Sequence, residues 1–205
     1  LKRVKQRFKI NNVNYEEAKR GSATHIPWPD NYFDLVYSHG VLHHIPEIEK
    51  TQREISRILK PSGKLIIMLY HKSSLIYWLS ITFIRRLSLL LLVILNDLKI
   101  FKPQINSIFY HHINNSKKIG LFKYFKMSNF IHVNTDGPKN PYSKVYTVST
   151  LRSDFSCFDL YKKKVHFLNE RHFPGIKLLP SKFRLFLASK FGWHLWGFLK
   201  NHKDI

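Results

Sequence analysis

A helical segment between two apolar segments constrains the fold more than any other feature of this chain. Phe33–Tyr37 and Lys64–Tyr70 are short and mainly apolar, as in strands that are buried on both faces of a sheet. Between them, Glu47–Lys60 has the spacing of an amphipathic helix, and Pro61–Gly63 ends it. Its apolar stripe consists of Ile48, Thr51, Ile55, Ile58 and Leu59. Strand, helix and strand in this order predict a right-handed crossover unit of a parallel sheet, and therefore an α/β fold.

Composition limits the classes of function but does not choose among them. Apolar residues make up 44% of the 205 residues, so the chain can form a packed core. The single cysteine, Cys157, excludes an internal disulfide framework and a multi-cysteine zinc site. The net charge of +21 is divided into +4 over residues 1–60 and +17 over residues 61–205. Such a field attracts phosphates, anionic lipids or acidic glycans, but biased codon usage would produce the same composition.

Residues 75–95 form an apolar stretch of about the length that spans a bilayer. Arg85 and Arg86 lie at its middle, and each costs about 2.5–3.5 kcal/mol at the centre of a membrane helix. We therefore expect a helix that is buried or lies on a membrane surface, rather than a true span.

The remaining segments give weaker signals. Residues 1–9 suggest the end of an amphipathic helix, and the following "NNVNYEE" suggests a turn that leads to a short strand. Residues 149–158 and 180–191 have helical patterns, and residues 161–168 and 192–200 have strand patterns.

Residues 26–70 carry a set of motifs that resembles a known family. In order, these are Ile26–Trp28, Phe33–Val36, Leu42–His44, Arg57–Gly63 and Lys64–Tyr70. They resemble the second half of a class I S-adenosylmethionine-dependent methyltransferase of the type 11 kind, from the loop before the family's fourth strand to its fifth strand. The resemblance implies S-adenosylmethionine as the cofactor and a Rossmann-like sheet with helices on both faces.

The resemblance also implies a set of cofactor contacts. Ser38, His39 and Gly40 would border the cofactor at the carboxyl end of the strand, where open α/β sheets bind ligands. Ala23 would offer its backbone amide to the adenine ring, and Ser22 stands where the family usually has an aspartate that binds the adenine amino group.

Three histidines follow the fourth strand of the family: His39, His43 and His44. A metal site needs convergent ligands, and Gly40 and Pro46 interrupt any regular helix that could align them, so we expect no metal there. His43 or His44 could act as a general base, although methyl transfer often needs only proximity and orientation. The favoured interpretation makes His44 a structural histidine that caps or packs the following helix, and the resemblance also counts it among the cofactor-binding residues. No catalytic residue is assigned from the sequence.

Two features of the family are missing from the sequence. These are the glycine-rich loop after the first strand and the acidic residue that holds the ribose hydroxyls. We therefore expect a sheet without the family's first two strands and weak binding of S-adenosylmethionine by the chain as given. Residues 1–25 should be detached from the sheet, irregular or paired in a way that differs from the family. The predicted divisions are 1–70 (half of the cofactor-binding core), 71–147 (a helical cap after the fifth strand) and 148–205 (the last helix and strands).

The implied activity is methyl transfer to a small-molecule acceptor of amphiphilic or lipid-linked character. Residues 75–95 would contact a membrane peripherally, which implies a cytoplasmic, membrane-associated location. The alternative is a non-catalytic basic module that uses Arg85, Arg86 and Lys162–Lys164 on anionic membranes or nucleic acid. Nucleic acid is the less favoured of these partners.

Overall fold

The computed structural model describes residues 1–170 and 175–203. Within them the helices are α1 Lys2–Ile10, α2 Ile48–Ile58, α3 Arg86–Asp97, α4 Ile108–Ile119, α5 Leu121–Phe125, α6 Met127–Thr135, α7 Val148–Asp154 and α8 Ser181–Phe191. A π-helical segment, Ile76–Arg85, runs directly into α3, and Leu42–His44 and Ile176–Leu178 are single 3₁₀ turns. The strands are β1 Phe33–His39, β2 Leu59–His71, β3 Val145–Tyr146, β4 Phe158–His166 and β5 His194–Asn201.

The strands form one sheet in the order β1-β2-β5-β4, with β3 paired to the end of β2. β1 and β2 are parallel, and α2 connects them as the crossover that the sequence predicts. β5 is antiparallel to both of its neighbours. A parallel pair joined by a crossover helix, within one sheet that has helices packed on it, confirms the predicted Rossmann-like α/β fold.

The main core lies between the sheet and the helices α2 and α7. Ile55 of α2, Leu65 and Ile67 of β2, and Leu151 of α7 belong to one buried cluster. Gly197 of β5 allows this close approach. A Cβ atom there would lie 3.1 Å from a methyl carbon of Leu151, closer than side chains normally pack.

The polar side of α2 holds the loop that precedes β1. Arg57 donates hydrogen bonds to the carbonyls of Ile26 and Trp28 and pairs with Asp30 and Glu54. The hydrogen bond from Arg57 keeps the pKa of the Glu54 carboxyl below its usual value. The loop is thereby fixed against the start of the sheet.

The boundary between α2 and β2 differs from the sequence prediction. The helix ends at Ile58 rather than Lys60, because Leu59 already pairs with Phe33 of β1. Ser62, within the predicted stop, has a φ of +58°, a conformation that favours glycine. The backbone of Ser62 is therefore strained.

Residues 1–25 contribute no strand to the sheet. α1 forms, but it has no buried residue. The short strand that we predicted after "NNVNYEE" is absent from this described segment, which has only an isolated bridge between Ser22 and His25. The sequence there offers no apolar run that could be buried against β1.

Residues 71–147 form mainly helices over the carboxyl ends of β1 and β2, and we call this segment the cap. A second buried cluster holds it together, with Ile81, Leu89, Tyr124 and Phe130 among its members. The continuous helix Ile76–Asp97 is long and apolar enough to cross a membrane by length and composition. The helical prediction for this region is correct. The domain boundaries at residues 70 and 147 stay predictions. The predicted division 148–205 includes residues 171–174 and 204–205, which lie outside the described residues.

Candidate active site

A cavity of about 950 Å³ lies between the sheet and the cap. One side, the sheet wall, consists of His39, Gly40, Met68, Tyr70, Trp193 and His194. The opposite side, the cap wall, includes Ile84, Arg85, Leu89, His112, Asn134 and Asp136. The cavity thus occupies the carboxyl ends of the two parallel strands, the usual ligand site of open α/β sheets.

Gly40 shapes the sheet wall where β1 ends. Its φ of +71° lies in the left-handed region, which glycine adopts without strain. A Cβ atom there would meet only a methyl carbon of Met68 at 3.6 Å, an ordinary contact. The backbone conformation, rather than lack of space, therefore requires this glycine.

Aromatic rings pack against one another in the sheet wall. The rings of Tyr70 and Trp193 stack with their centroids 4.5 Å apart. His43 lies on Tyr70 at 3.8 Å, and His194 stacks on Phe167 at 4.2 Å. Such a surface suits a planar or apolar ligand.

A polar cluster joins the two walls. Tyr70 donates its Oη hydrogen to Oδ1 of Asp136 at 2.8 Å, and Nε2 of His44 lies 3.4 Å from Oδ2 of the same carboxylate. Nδ1 of His44 lies 2.9 Å from the carbonyl oxygen of Tyr142 and 3.1 Å from Oγ of Ser143. Burial, and then the Asp136 carboxylate, raise the pKa of Tyr70, so its phenol stays protonated and donates.

The cap wall contributes a cation and a neutral imidazole. Nη1 of Arg85 donates to the carbonyl oxygen of Asn134 at 2.7 Å, which orients the guanidinium at the cavity. His112 is buried, and its Nδ1 lies 2.5 Å from Oη of Tyr124. Burial, and then the charge of Arg85, lower the pKa of His112 to about 4. On the cap wall, Arg85 can therefore attract an anionic or electron-rich group, and the neutral His112 cannot do so by charge.

The structure separates the three histidines that the sequence groups together. His39 lines the cavity, His44 bridges the core and the cap, and His43 is fully buried behind Tyr70. Burial lowers the pKa of His43 to about 3, so it is neutral at physiological pH. Within residues 1–170 and 175–203, no three His, Cys, Asp or Glu side chains are grouped as metal ligands.

The predicted cofactor residues are only partly brought together. His39 and Gly40 line the cavity, and His44 reaches it through Asp136. Ser38, Ser22 and Ala23 are not among the residues that line it. The Ser22 hydroxyl lies 2.8 Å from that of Thr24, in an exposed turn. Their roles as cofactor ligands stay predictions.

Sequence reasoning missed several residues of the site. Tyr70 was interpreted only as the end of a strand, and Trp193 as part of a closing strand. Asp136 and His112 lie in a region whose sequence gave no clear pattern. One signal was available, because Asp136 is one of only two acidic residues between residues 71 and 147, the other being Asp97.

The residues present fit one end of S-adenosylmethionine. Gly40 and His39 offer an exposed backbone and an imidazole at the end of β1, where the resemblance puts the cofactor. For the ribose hydroxyls, Asp136 is the only carboxylate among the described residues that line the cavity, and Tyr70 and His44 already contact it. The described residues therefore fit the methyl-bearing end and supply no ribose carboxylate.

Comparison with known proteins agrees with this geometry. A model of the methyltransferase domain family matches residues 1–67. A ubiquinone/menaquinone biosynthesis C-methyltransferase of Serratia proteamaculans is 36% identical over 70 residues, which are 34% of this chain and 27% of that protein. Its counterpart in Yersinia enterocolitica is 38% identical over 63 residues, 31% of this chain and 24% of that one. The chain therefore spans about a quarter of the length of these relatives.

A solved structure shows that the likeness of fold extends beyond that segment. An S-adenosylmethionine-dependent methyltransferase from Thermotoga maritima superposes with a TM-score of 0.51 at 12% identity, over 98% of this chain and 70% of that one. Residues 1–67 are therefore similar to the methyltransferase domain family, and the chain has the fold of a class I S-adenosylmethionine-dependent methyltransferase.

Proposed function

We propose that this protein transfers a methyl group from S-adenosylmethionine to an amphiphilic small molecule held in the cavity. The observation that carries the proposal is the position of the cavity. It begins at Gly40, at the end of β1, and is closed on its other side by the cap. A cofactor beside Gly40 and an acceptor under the cap would meet in line, and orientation of this kind supplies much of the rate of a bimolecular transfer.

Each residue of the cavity has a separate role in this proposal. When bound, S-adenosylmethionine supplies an electrophilic methyl group. Gly40 and His39 hold the end of the cofactor that carries it, and the acceptor lies on the rings of Tyr70 and Trp193. Arg85 stabilises negative charge on the acceptor. The acceptor loses one proton, and Asp136 is the carboxylate at hand to accept it, oriented by Tyr70 and His44.

The acceptor class is inferred from the rim of the cavity. Ile84, Ile108 and Phe109 line the cavity and are between 48% and 63% exposed, so an apolar tail could leave the site across them. The relatives named above are C-methyltransferases of ubiquinone and menaquinone biosynthesis. We therefore infer an acceptor that has a ring and an apolar tail, as a quinone precursor has, and that is methylated at carbon. The ring would contact the aromatic sheet wall, and the tail would cross the apolar rim.

A non-catalytic basic module is the second candidate. The charge of +17 over residues 61–205 favours it, since such a field binds anionic membranes without any cofactor. A cytoplasmic, membrane-associated location and peripheral contact through residues 75–95 suit both candidates. Only the first requires cofactor binding.

Titration of S-adenosylmethionine into the full-length gene product distinguishes the two. We expect binding, and we expect Gly40→Ala to weaken it about tenfold or more, because alanine is strained at this φ. Gly120→Ala is the matched control. Gly120 also has a positive φ, of +87°, but lies between α4 and α5 and does not line the cavity. Absence of binding to the full-length product would contradict the methyltransferase proposal.

Ser22→Asp tests the predicted adenine contact. In the full-length product this change should tighten cofactor binding by about 1–2 kcal/mol, the value of a charge-assisted hydrogen bond. Ser22→Asn keeps the shape without the charge and should give less. Unchanged binding in Ser22→Asp would mean that another residue recognises the adenine.

A further inference from the structure

An apolar stripe on the helix Ile76–Asp97 faces solvent. Phe83, Leu87, Leu91, Ile94 and the adjoining Leu98 are between 44% and 64% exposed. They follow one another at intervals of four, four, three and four residues, which keeps them on one side of a helix. We name these five residues the docking face.

The opposite side of the same helix is already packed. Ile76, Tyr77, Ile81, Leu89 and Val93 are at most 8% exposed. The cap therefore satisfies one apolar side of the helix and leaves the other uncovered. Exposed apolar surfaces of this extent generally mark sites of interaction with a membrane or another protein.

Charge selects the membrane as the occupant. The cap carries eleven Lys and Arg residues and only two acidic ones. Lys99 and Lys102 follow the docking face directly and are exposed. Lys117 pairs with Asp97 at 3.0 Å, which brings Lys118 to the same end of the helix. A row of apolar side chains with lysines at its end matches the acyl region and anionic headgroups of a bilayer surface.

A second exposed feature lies at the same end. Phe122, the second residue of α5, is 95% exposed, and Lys118 and Lys123 lie four residues before it and one residue after it. An aromatic ring held out between lysines is a typical interfacial anchor, because the ring enters the acyl boundary while the amines stay at the headgroups.

We propose that the docking face lies in the surface of an anionic membrane, with the helix parallel to the bilayer rather than across it. The packed side of the helix, and the bond from Arg85 to Asn134, keep it attached to the cap. Ile84 is both exposed and part of the cavity lining, so the membrane would meet the rim of the cavity. If the proposed methyl transfer holds, the acceptor enters from the bilayer across this rim. The docking itself needs no methyl transfer.

The test uses the full chain and vesicles, with no cofactor or acceptor. The protein is sedimented with phosphatidylcholine vesicles that contain roughly a third phosphatidylserine, and with vesicles of phosphatidylcholine alone. We expect binding to the anionic vesicles and release by a high-salt wash, because charge supplies much of the affinity. Retention after washes with high salt and alkaline carbonate would show a true span and overturn the proposal.

Two pairs of substitutions examine the surface itself. Leu87→Glu with Leu91→Glu should reduce vesicle affinity about a hundredfold or more, since two side chains would carry charge into the acyl boundary. Leu178→Glu with Leu185→Glu, at exposed positions elsewhere, is the matched control and should leave the affinity unchanged. Lys99→Gln with Lys102→Gln changes only exposed residues and should reduce affinity about tenfold or more.

If Leu178→Glu with Leu185→Glu reduced vesicle affinity as much as Leu87→Glu with Leu91→Glu, the proposal would be overturned, because any added negative charge would then have the same effect. So would an absence of binding to anionic vesicles. A dimer in solution that Leu87→Glu with Leu91→Glu dissociates would identify a second copy of the chain as the occupant, and would also overturn it. None of these results depends on cofactor binding, so the proposed methyl transfer can fail separately.

Discussion

The two walls of the cavity are built in opposite ways. The sheet wall is carried by β2 and β5, whose side chains Leu65, Ile67 and Leu199 are completely buried behind it. The cap wall is carried by helices whose outer side, at Phe83 and Leu91, is exposed and apolar. One wall is fixed by a core, and the other lies on a thin layer of helices.

The connections between the walls are both apolar, through Trp193 in the second buried cluster and Tyr70 packed against it, and polar. They include the bond from Tyr70 to Asp136, the contacts of His44 with Tyr142 and Ser143, and the bond from the Lys144 amide to the His43 carbonyl. In the proposed function, the cofactor lies at the Gly40 end of the sheet wall, and the acceptor lies between Tyr70 and Trp193 of that wall and the cap wall.

The largest contrast between the walls should appear in stability. Ile67→Ala removes buried side-chain atoms from the centre of the sheet and should lower the free energy of unfolding by about 2–5 kcal/mol. Leu91→Ala, on the exposed side of the cap, should change it by less than about 0.5 kcal/mol. Urea denaturation followed by circular dichroism measures both. Similar losses in the two variants would mean that the cap is as tightly packed as the sheet.

Acid should lower the free energy of unfolding through His43, the buried histidine behind the sheet wall. The pKa of His43 is lowered from 6.5 to about 3 on folding, so only the unfolded state binds its proton between these values. Its contribution to stability is complete above pH 6.5 and declines as the pH falls toward 3. At pH 5 the loss from this residue is about 2 kcal/mol. The free energy of unfolding, measured in urea, should therefore fall between pH 7 and pH 5, and His43→Phe should reduce this fall by about 2 kcal/mol. An unchanged fall in His43→Phe would contradict the burial of His43.

Removing one bond between the walls should loosen the cap alone. Tyr70→Phe deletes the hydroxyl that donates to Asp136 and should cost about 1 kcal/mol. Hydrogen exchange should become faster in α6, which ends beside Asp136, while β2 and β5 keep their protection. Tyr161→Phe, at a tyrosine that is 55% exposed on β4, is the control. Faster exchange throughout the sheet would show that the two walls unfold as one unit.

The smallest effect concerns the strained turn at the start of β2. Ser62→Gly relieves a left-handed conformation at φ +58° and should raise the free energy of unfolding by about 0.5–1 kcal/mol. Ser73→Gly, in the turn after β2, is the control, because Ser73 does not have a positive φ. A loss of stability in Ser62→Gly would mean that the serine side chain contributes more than the strain costs.

The sheet wall was largely predictable from the sequence, and the cap wall was not. The succession of apolar run, amphipathic helix and apolar run is local, so Phe33–Tyr37, Ile55 and Leu65 identify their own positions in a parallel sheet. The expected burial of the first run is wrong, because β1 has no buried residue and Tyr37 is 59% exposed. Gly40 was predictable because it directly follows such a strand. Its need for a positive φ became visible only in the structure.

The cap depends on contacts between residues far apart in the chain. Asp136 reaches Tyr70 across 66 positions, and His44 reaches Ser143 across 99. No periodicity marks such pairs. The helix around Arg85 was predictable, but which side would be buried was not, because it is apolar on nearly all sides. The sequence therefore could not separate the packed side from the docking face.

A crystal structure of the full-length gene product with S-adenosylhomocysteine would test the central claim most directly. If the cofactor lies at the Gly40 end of the sheet wall and the acceptor between that wall and the cap wall, the sulfur atom will lie beside Gly40 and face the cavity, and the space beside Tyr70 and Trp193 will be free for the acceptor. A sulfur atom outside this cavity, or a nucleoside that fills the space under the cap next to Arg85, would contradict the account.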